Sequence, residues 1–330
     1  MSRELLDVVG IGNAIVDVVT HADDSFLIRH DLAKGAMTLI DSERAEELYG
    51  LMGPGIEVSG GSAGNTMAGI ASLGGRGGYI GKVRDDQLGE VFAHDLRSLG
   101  VEFTTPLAGS GAPTARCLIL VTPDGQRTMN TYLGACTGLG PDDIEPEQIA
   151  RARLTYMEGY LWDPPGAKEA FRKAATIAHE AGRQVSISLS DAFCVDRWRD
   201  EFRHLVEEQV DVLFANEDEV ISLFQVDDFD AALQALRGRS LIAALTRSEQ
   251  GSVIVRGEEI HVVDAAPIER LVDSTGAGDL YASGFLYGLT RDFDLNTCGR
   301  LGAAAAAEVI QHVGARPETP LDAIAAKIVS

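Results

Sequence analysis

Short, wholly apolar runs alternate along the chain with longer stretches in which apolar residues return every three or four positions. Asp7–Asn13, Gly78–Lys82, Leu154–Glu158, Gln184–Leu189, Asp211–Phe214 and Leu241–Thr246 are of the first kind, and their unbroken hydrophobicity predicts strands buried on both faces. Leu88, Val91, Phe92, Leu96 and Leu99 are of the second kind. They line one face of a helix, with Gly100 as its stop signal. Further helices are predicted over 166–182, 196–209, 276–289 and 295–311, the last with five consecutive alanines for close packing. Alternation of this kind through most of the chain predicts a three-layer α/β/α domain around a mainly parallel sheet.

Two regions break the rhythm. Residues 14–40 and 103–133 have the two-residue period of antiparallel strands, most clearly in Ala115–Val121 and Arg127–Leu133 around the turn Pro123-Asp-Gly125. They are expected to form a small antiparallel β lid, assembled by two excursions from a large domain made of 1–13, 41–102 and 134–330. A lid of this construction closes over a site.

Composition narrows the ligand. The 28 basic and 50 acidic residues leave a formal charge of −22, which argues against nucleic acid and anionic membranes as partners. An anionic ligand must then be held by helix N-termini, backbone amides or metal ions. Cys117, Cys136, Cys194 and Cys298 form no CxxC pair, so reduced thiols are expected. No run approaches a membrane span and the N-terminus lacks a signal-like apolar core, so the expected location is cytoplasmic.

Glycine clusters carry the candidate chemistry. Gly10-Ile-Gly12 opens like a dinucleotide fingerprint, but Ile15 stands where the third glycine belongs. Gly81-Lys82 lacks the leading glycine and the hydroxyl residue of a P-loop. Thr275-Gly-Ala-Gly278 is different, because it is a tight turn running straight into an amphipathic helix. Its amides and the helix dipole converge on one point suited to a phosphoryl group, with Asp279 in the first helical turn. By itself that pattern is equally a turn followed by an acidic helix start. A second cluster, Ser59-Gly-Gly-Ser-Ala-Gly-Asn65, also opens a helix.

Together, SGGSAGNTMAGIASLGG and DSTGAGDLYASGFLYGL resemble the two signatures of the PfkB/ribokinase family of carbohydrate and nucleoside kinases. The lid excursions, Asn216-Glu-Asp-Glu219 and Leu245–Gly251 fall in the family's order. Gly12–Asp17 looks closest to the start of the adenosine kinase members, although Ala14 stands where proline is usual. The resemblance implies a ribokinase-like fold and an ATP-dependent transfer to a hydroxyl of a nucleoside, adenosine first, with inosine, guanosine, cytidine, ribose or fructose as alternatives. A non-catalytic nucleotide or sugar sensor is the alternative of another class.

The resemblance also implies roles. Asp279 would be the catalytic base, with Gly276, Ala277 and Gly278 as the anion hole. Asn13, Asp17, Gly60, Gly61 and Asn65 would hold the acceptor. Asn216, Thr246, Arg247, Gly251, Thr275, Gly276 and Gly278 would contact ATP, and 309–314 would form the adenine pocket. Asn216 and Glu219 would hold Mg2+ through water, and Asp273 with Thr275 a monovalent cation such as K+. Phe26, Phe103, Tyr132, Trp162 and Phe193 are available to stack on a base, and the lid edge could pair two copies into a homodimer.

Overall fold

The computed structural model describes residues 4–329. Fourteen strands run in chain order: β1 Leu6–Ile11, β2 Ile15–His21, β3 Met37–Leu39, β4 Ile56–Ser59, β5 Gly77–Ile80, β6 Glu102–Phe103, β7 Ala115–Val121, β8 Arg127–Tyr132, β9 Ala152–Glu158, β10 Gln184–Ser188, β11 Val212–Asn216, β12 Ile242–Thr246, β13 Ser252–Arg256 and β14 Glu259–Val263. Nine of them form one sheet in the order β14-β13-β12-β11-β10-β9-β1-β5-β6. The sheet is parallel from β12 to β6, and β13 and β14 add an antiparallel edge. Apolar side chains cover both faces in two clusters, one around Trp162, Phe171 and Phe202, the other around Tyr79, Phe92 and Phe285. This is why the strands read as continuous hydrophobic runs.

The predicted helices are present with shifted ends. They span Gln87–Ser98, Pro165–Glu180, Ala192–Glu208, Ala277–Leu289 and Leu295–Val309. The helix expected from 196 starts at 192 because Asp191 caps it, its side chain accepting from the Phe193 amide at 2.7 Å.

The small sheet departs from expectation in two respects. It has five strands in the order β3-β8-β7-β2-β4, and it is mixed: β2 with β7 and β3 with β8 pair in parallel, whereas β2 with β4 and β7 with β8 are antiparallel. A parallel β2–β7 ladder needs the long connection that the chain makes between them, since a hairpin cannot join parallel neighbours. Ile56–Ser59, expected with the large sheet, pairs with β2. Glu102–Phe103 pairs with β5, so the second excursion leaves the large sheet after residue 103.

One face of the small sheet, with Val16, Val18 and Leu118, packs into the cluster that holds Leu48 and Phe92. The opposite face carries Ile15, Asp17, Val19, Cys117, Ile119, Val121 and Met129.

Candidate active site

In open parallel sheets, ligands bind beyond the carboxyl ends of the strands. At that edge Asn13 follows β1, and Glu158, Ser188, Asn216 and Thr246 are the last residues of β9, β10, β11 and β12.

The Thr275–Gly278 turn arrives at the same edge. Gly276 takes a left-handed φ of 80°, and a Cβ there would lie 2.7 Å from that of Ala315, so both backbone and space demand glycine. A side chain on Gly278 would meet nothing within 4 Å, which leaves open room in front of the helix N-terminus.

Asp279, on the first turn of Ala277–Leu289, points at the helix Ser62–Ser72. Ser62 Oγ donates to its Oδ1 at 2.6 Å and Asn65 Nδ2 to its Oδ2 at 3.0 Å. Burial pushes its pKa up, against those two bonds and the charge of Arg316. A buried carboxylate with two neutral donors, more basic than an exposed aspartate, suits proton acceptance.

On the acceptor side Asp17 stands alone. Its carboxylate has no hydrogen-bond partner among the described residues, and a Cβ on Gly60 would lie 2.4 Å from it. Burial raises its pKa to about 6, against the charges of Arg127 and Arg316. Gly61, with φ 81°, lies so close to the Asn13 carbonyl that a Cβ would come within 2.2 Å of the oxygen. Asn13 and Asn65 are both buried.

Glu158 is the residue that sequence reasoning missed here. Its Oε1 accepts from Asn13 Nδ2 at 2.7 Å, and its Oε2 from the amides of Asn13 at 3.3 Å and Ala63 at 2.9 Å. Burial raises its pKa to about 7 despite those bonds. It ties the β1 loop to the helix that carries Ser62 and Asn65. As the polar end of an apolar strand it gave no signal beyond the strand's end.

The residues expected to contact nucleotide divide. Asn216 and Glu219 form a capping box, with Glu219 Oε2 accepting from the Asn216 amide at 3.0 Å and the Glu219 amide donating to Asn216 Oδ1 at 2.9 Å. Burial raises the Glu219 pKa to about 7, and Asp191 and Asp218 add to the rise. Glu219 Oε1 also accepts from Asn216 Nδ2 at 2.7 Å, so both oxygens are engaged within the pair and a magnesium ion would meet it through the ion's hydration shell. Thr246 closes β12 opposite Ser252. Arg247 turns to the side: its Nε and Nη2 donate to the Glu217 carboxylate at 3.0 and 3.3 Å, and it lies over the Phe229 ring. Gly251 serves a turn at φ 80°, where a Cβ would strike the Val263 carbonyl.

The monovalent cation does not fit. Asp273 Oδ1 accepts from the Thr275 amide at 3.0 Å, and Oδ2 accepts from the Gly314 amide at 3.0 Å and is ion-paired with Arg127. A guanidinium already stands where the cation's charge would be needed. Of the segment 309–314, Val309 is core and the Ile310 carbonyl accepts from the Val272 amide. Among the aromatic candidates, Phe103 and Trp162 are core, and exposed Phe193 lies under Arg197.

Residues 42–322 match the family described as pfkB family carbohydrate kinase. The chain belongs to that family. It is an ATP-dependent phosphotransferase with the ribokinase-like α/β fold. A probable sugar kinase from Rhizobium etli superposes with a TM-score of 0.90 at 54% identity, covering 98% of this chain and 99% of that one. The adenosine kinase of Sinorhizobium meliloti gives 0.89 at 54% identity with the same coverage. The adenosine kinase of Saccharomyces cerevisiae is 26% identical over 96% of this kinase and 97% of its own length. No helix among the described residues is long and apolar enough to cross a membrane.

Proposed function

We propose that this kinase transfers the γ-phosphoryl group of ATP to the 5′-hydroxyl of adenosine. One observation carries the choice of a nucleoside over a bare sugar. A single row across the small sheet runs Val58, Asp17, Cys117, Thr131, Leu39, so one charged group is followed by an apolar and weakly polar platform. Adjacent strands lie about 4.8 Å apart, which puts the far end of the platform roughly 14 Å from Asp17. That end opens on a cavity of about 270 Å³ lined by Leu39, Ile40, Thr131, Tyr132, Leu133 and Thr137 among others. A sugar on Asp17 leaves this platform uncovered, whereas a nucleoside lays its base along it. The adenosine kinases among the relatives agree with this reading.

In the reaction, Asp17 and Asn13 orient the ribose, and Asp279 accepts the hydroxyl proton as the oxygen attacks the γ-phosphorus. The new O–P bond forms as the bond to the β-phosphate oxygen breaks, and ADP leaves. The amides of Gly276, Ala277 and Gly278 stabilise the charge on the transferring group, and Thr275 borders it. Asn216 and Glu219 would hold magnesium through its water shell, where the ion would neutralise charge on the phosphates. Thr246 lies beside that approach.

The test is ADP release with adenosine, inosine, guanosine, cytidine, ribose and fructose under saturating MgATP. Adenosine should give the highest kcat/KM, and a higher value with ribose or fructose would refute the nucleoside assignment.

A further inference from the structure

Arg316 lies in the loop between Leu295–Val309 and Leu321–Val329, and nothing around it in sequence marks it. Its Nη2 donates to the Ser59 carbonyl at 2.5 Å and hydroxyl at 2.9 Å, and its Nε donates to Asn65 Oδ1 at 3.2 Å. Asn65 turns its other end, Nδ2, to Asp279 Oδ2. An asparagine amide has the same shape in both orientations, but only one presents a donor to Asp279. Arg316, which can only donate, selects that orientation. The neighbouring Ala315 packs against Gly276, so the same loop is registered against the turn that faces the phosphoryl group.

We propose that Arg316 is a positioning residue for phosphoryl transfer, acting through Asn65 to hold Asp279 aimed and ionised. The inference rests on Asp279 being the base. The groups facing that carboxylate are Ser62 and Asn65 from the helix Ser62–Ser72, Asp17 from the small sheet, Tyr156 and Glu158 from β9, Tyr160 beyond it, and Arg316. Arg316 therefore opposes two acidic neighbours.

The experiment is a cycle of Arg316→Met, Asn65→Ala and the double variant, with kcat measured across pH. Arg316→Met should lower kcat by about 10–100-fold, the loss expected for a misaimed group, with the KM for ATP unchanged. The acid limb of its kcat profile should move to higher pH, because Asp279 loses the charge that keeps it ionised. The double variant should be no slower than the slower single variant. Arg316→Lys keeps the charge without the fork and should restore the acid limb, which covers the case in which the methionine variant misfolds. Multiplicative losses in the double variant, or an Arg316→Met enzyme with normal kcat and acid limb, would overturn the proposal. Asp279→Asn run alongside separates the two readings: wild-type turnover there removes the base assignment and this inference with it. An inactive Asp279→Asn beside an additive cycle removes the inference alone.

Discussion

Arg127 at the start of β8 and Asp273 just ahead of the Thr275–Gly278 turn form an ion pair that joins the small sheet to the loop before the helix Ala277–Leu289, with both side chains about nine-tenths buried. Breaking a buried pair from one side leaves an uncompensated charge. Arg127→Met should therefore lower unfolding stability by about 3–5 kcal/mol, measured by urea titration. An unchanged midpoint would mean that the pair is solvated in solution.

The same pair bears on ion dependence. With Asp273 already facing a guanidinium, turnover should be the same in potassium, sodium and choline salts at fixed ionic strength. Potassium-specific stimulation of the wild type would show that Arg127 withdraws and that a cation enters.

Glu158 offers a pH test whose sign is fixed. Its pKa in the fold is raised to about 7 from an ordinary 4.5, so the fold binds its proton more tightly than the unfolded chain does. The resulting stabilisation is complete below about pH 4.5 and is lost as pH rises through 7. Glu158→Gln should flatten the dependence of the melting temperature on pH between those values. The Gln amide would also face Asn13 Nδ2 and turn that side chain over, raising the acceptor KM by about tenfold for one reversed hydrogen bond. An unaltered KM would show that Asn13 does not touch the acceptor.

Asp17 should bind acceptor hydroxyls as a carboxylate. Its pKa near 6 then predicts that acceptor affinity weakens as pH falls below 6 while ATP affinity holds. Asp17→Ala should lose about 2–4 kcal/mol of acceptor binding, as for charge-assisted hydrogen bonds. Calorimetry in which both ligands weaken together would indicate damage to the fold instead.

Asp279→Asn keeps the size and the helix start but cannot take a proton. Turnover should drop by about 10²–10⁴-fold with ATP binding retained. A variant with wild-type turnover and normal melting would make Asp279 a structural helix-start residue.

The turn at Thr275–Gly278 was legible in sequence because closely spaced glycines running into a helix start form a local pattern. The double-faced strands were legible for the same reason. Glu158 and Arg316 were not, since each acts through partners about 95 to 257 residues away and nothing local distinguishes them. Ile56–Ser59 escaped because four residues between Gly55 and Gly60 are too few to establish a period. The order of Arg247 in the chain agrees with the family, whereas its direction in the fold is set by Glu217 and Phe229, which the motif does not include.

Only Gly12, Asn13 and Ala14 separate β1 of the large sheet from β2 of the small one, and only Gly60 and Gly61 separate β4 from the helix that carries Asn65. The chain crosses from one body to the other at the residues proposed to hold the acceptor. If the small sheet swings, those contacts must swing with it, so the substrate grips the pivot and not the door. Occupancy and closure then become one event: an acceptor long enough to reach the far platform stiffens the joint from both sides, and one that fills only the pivot leaves the sheet free to open.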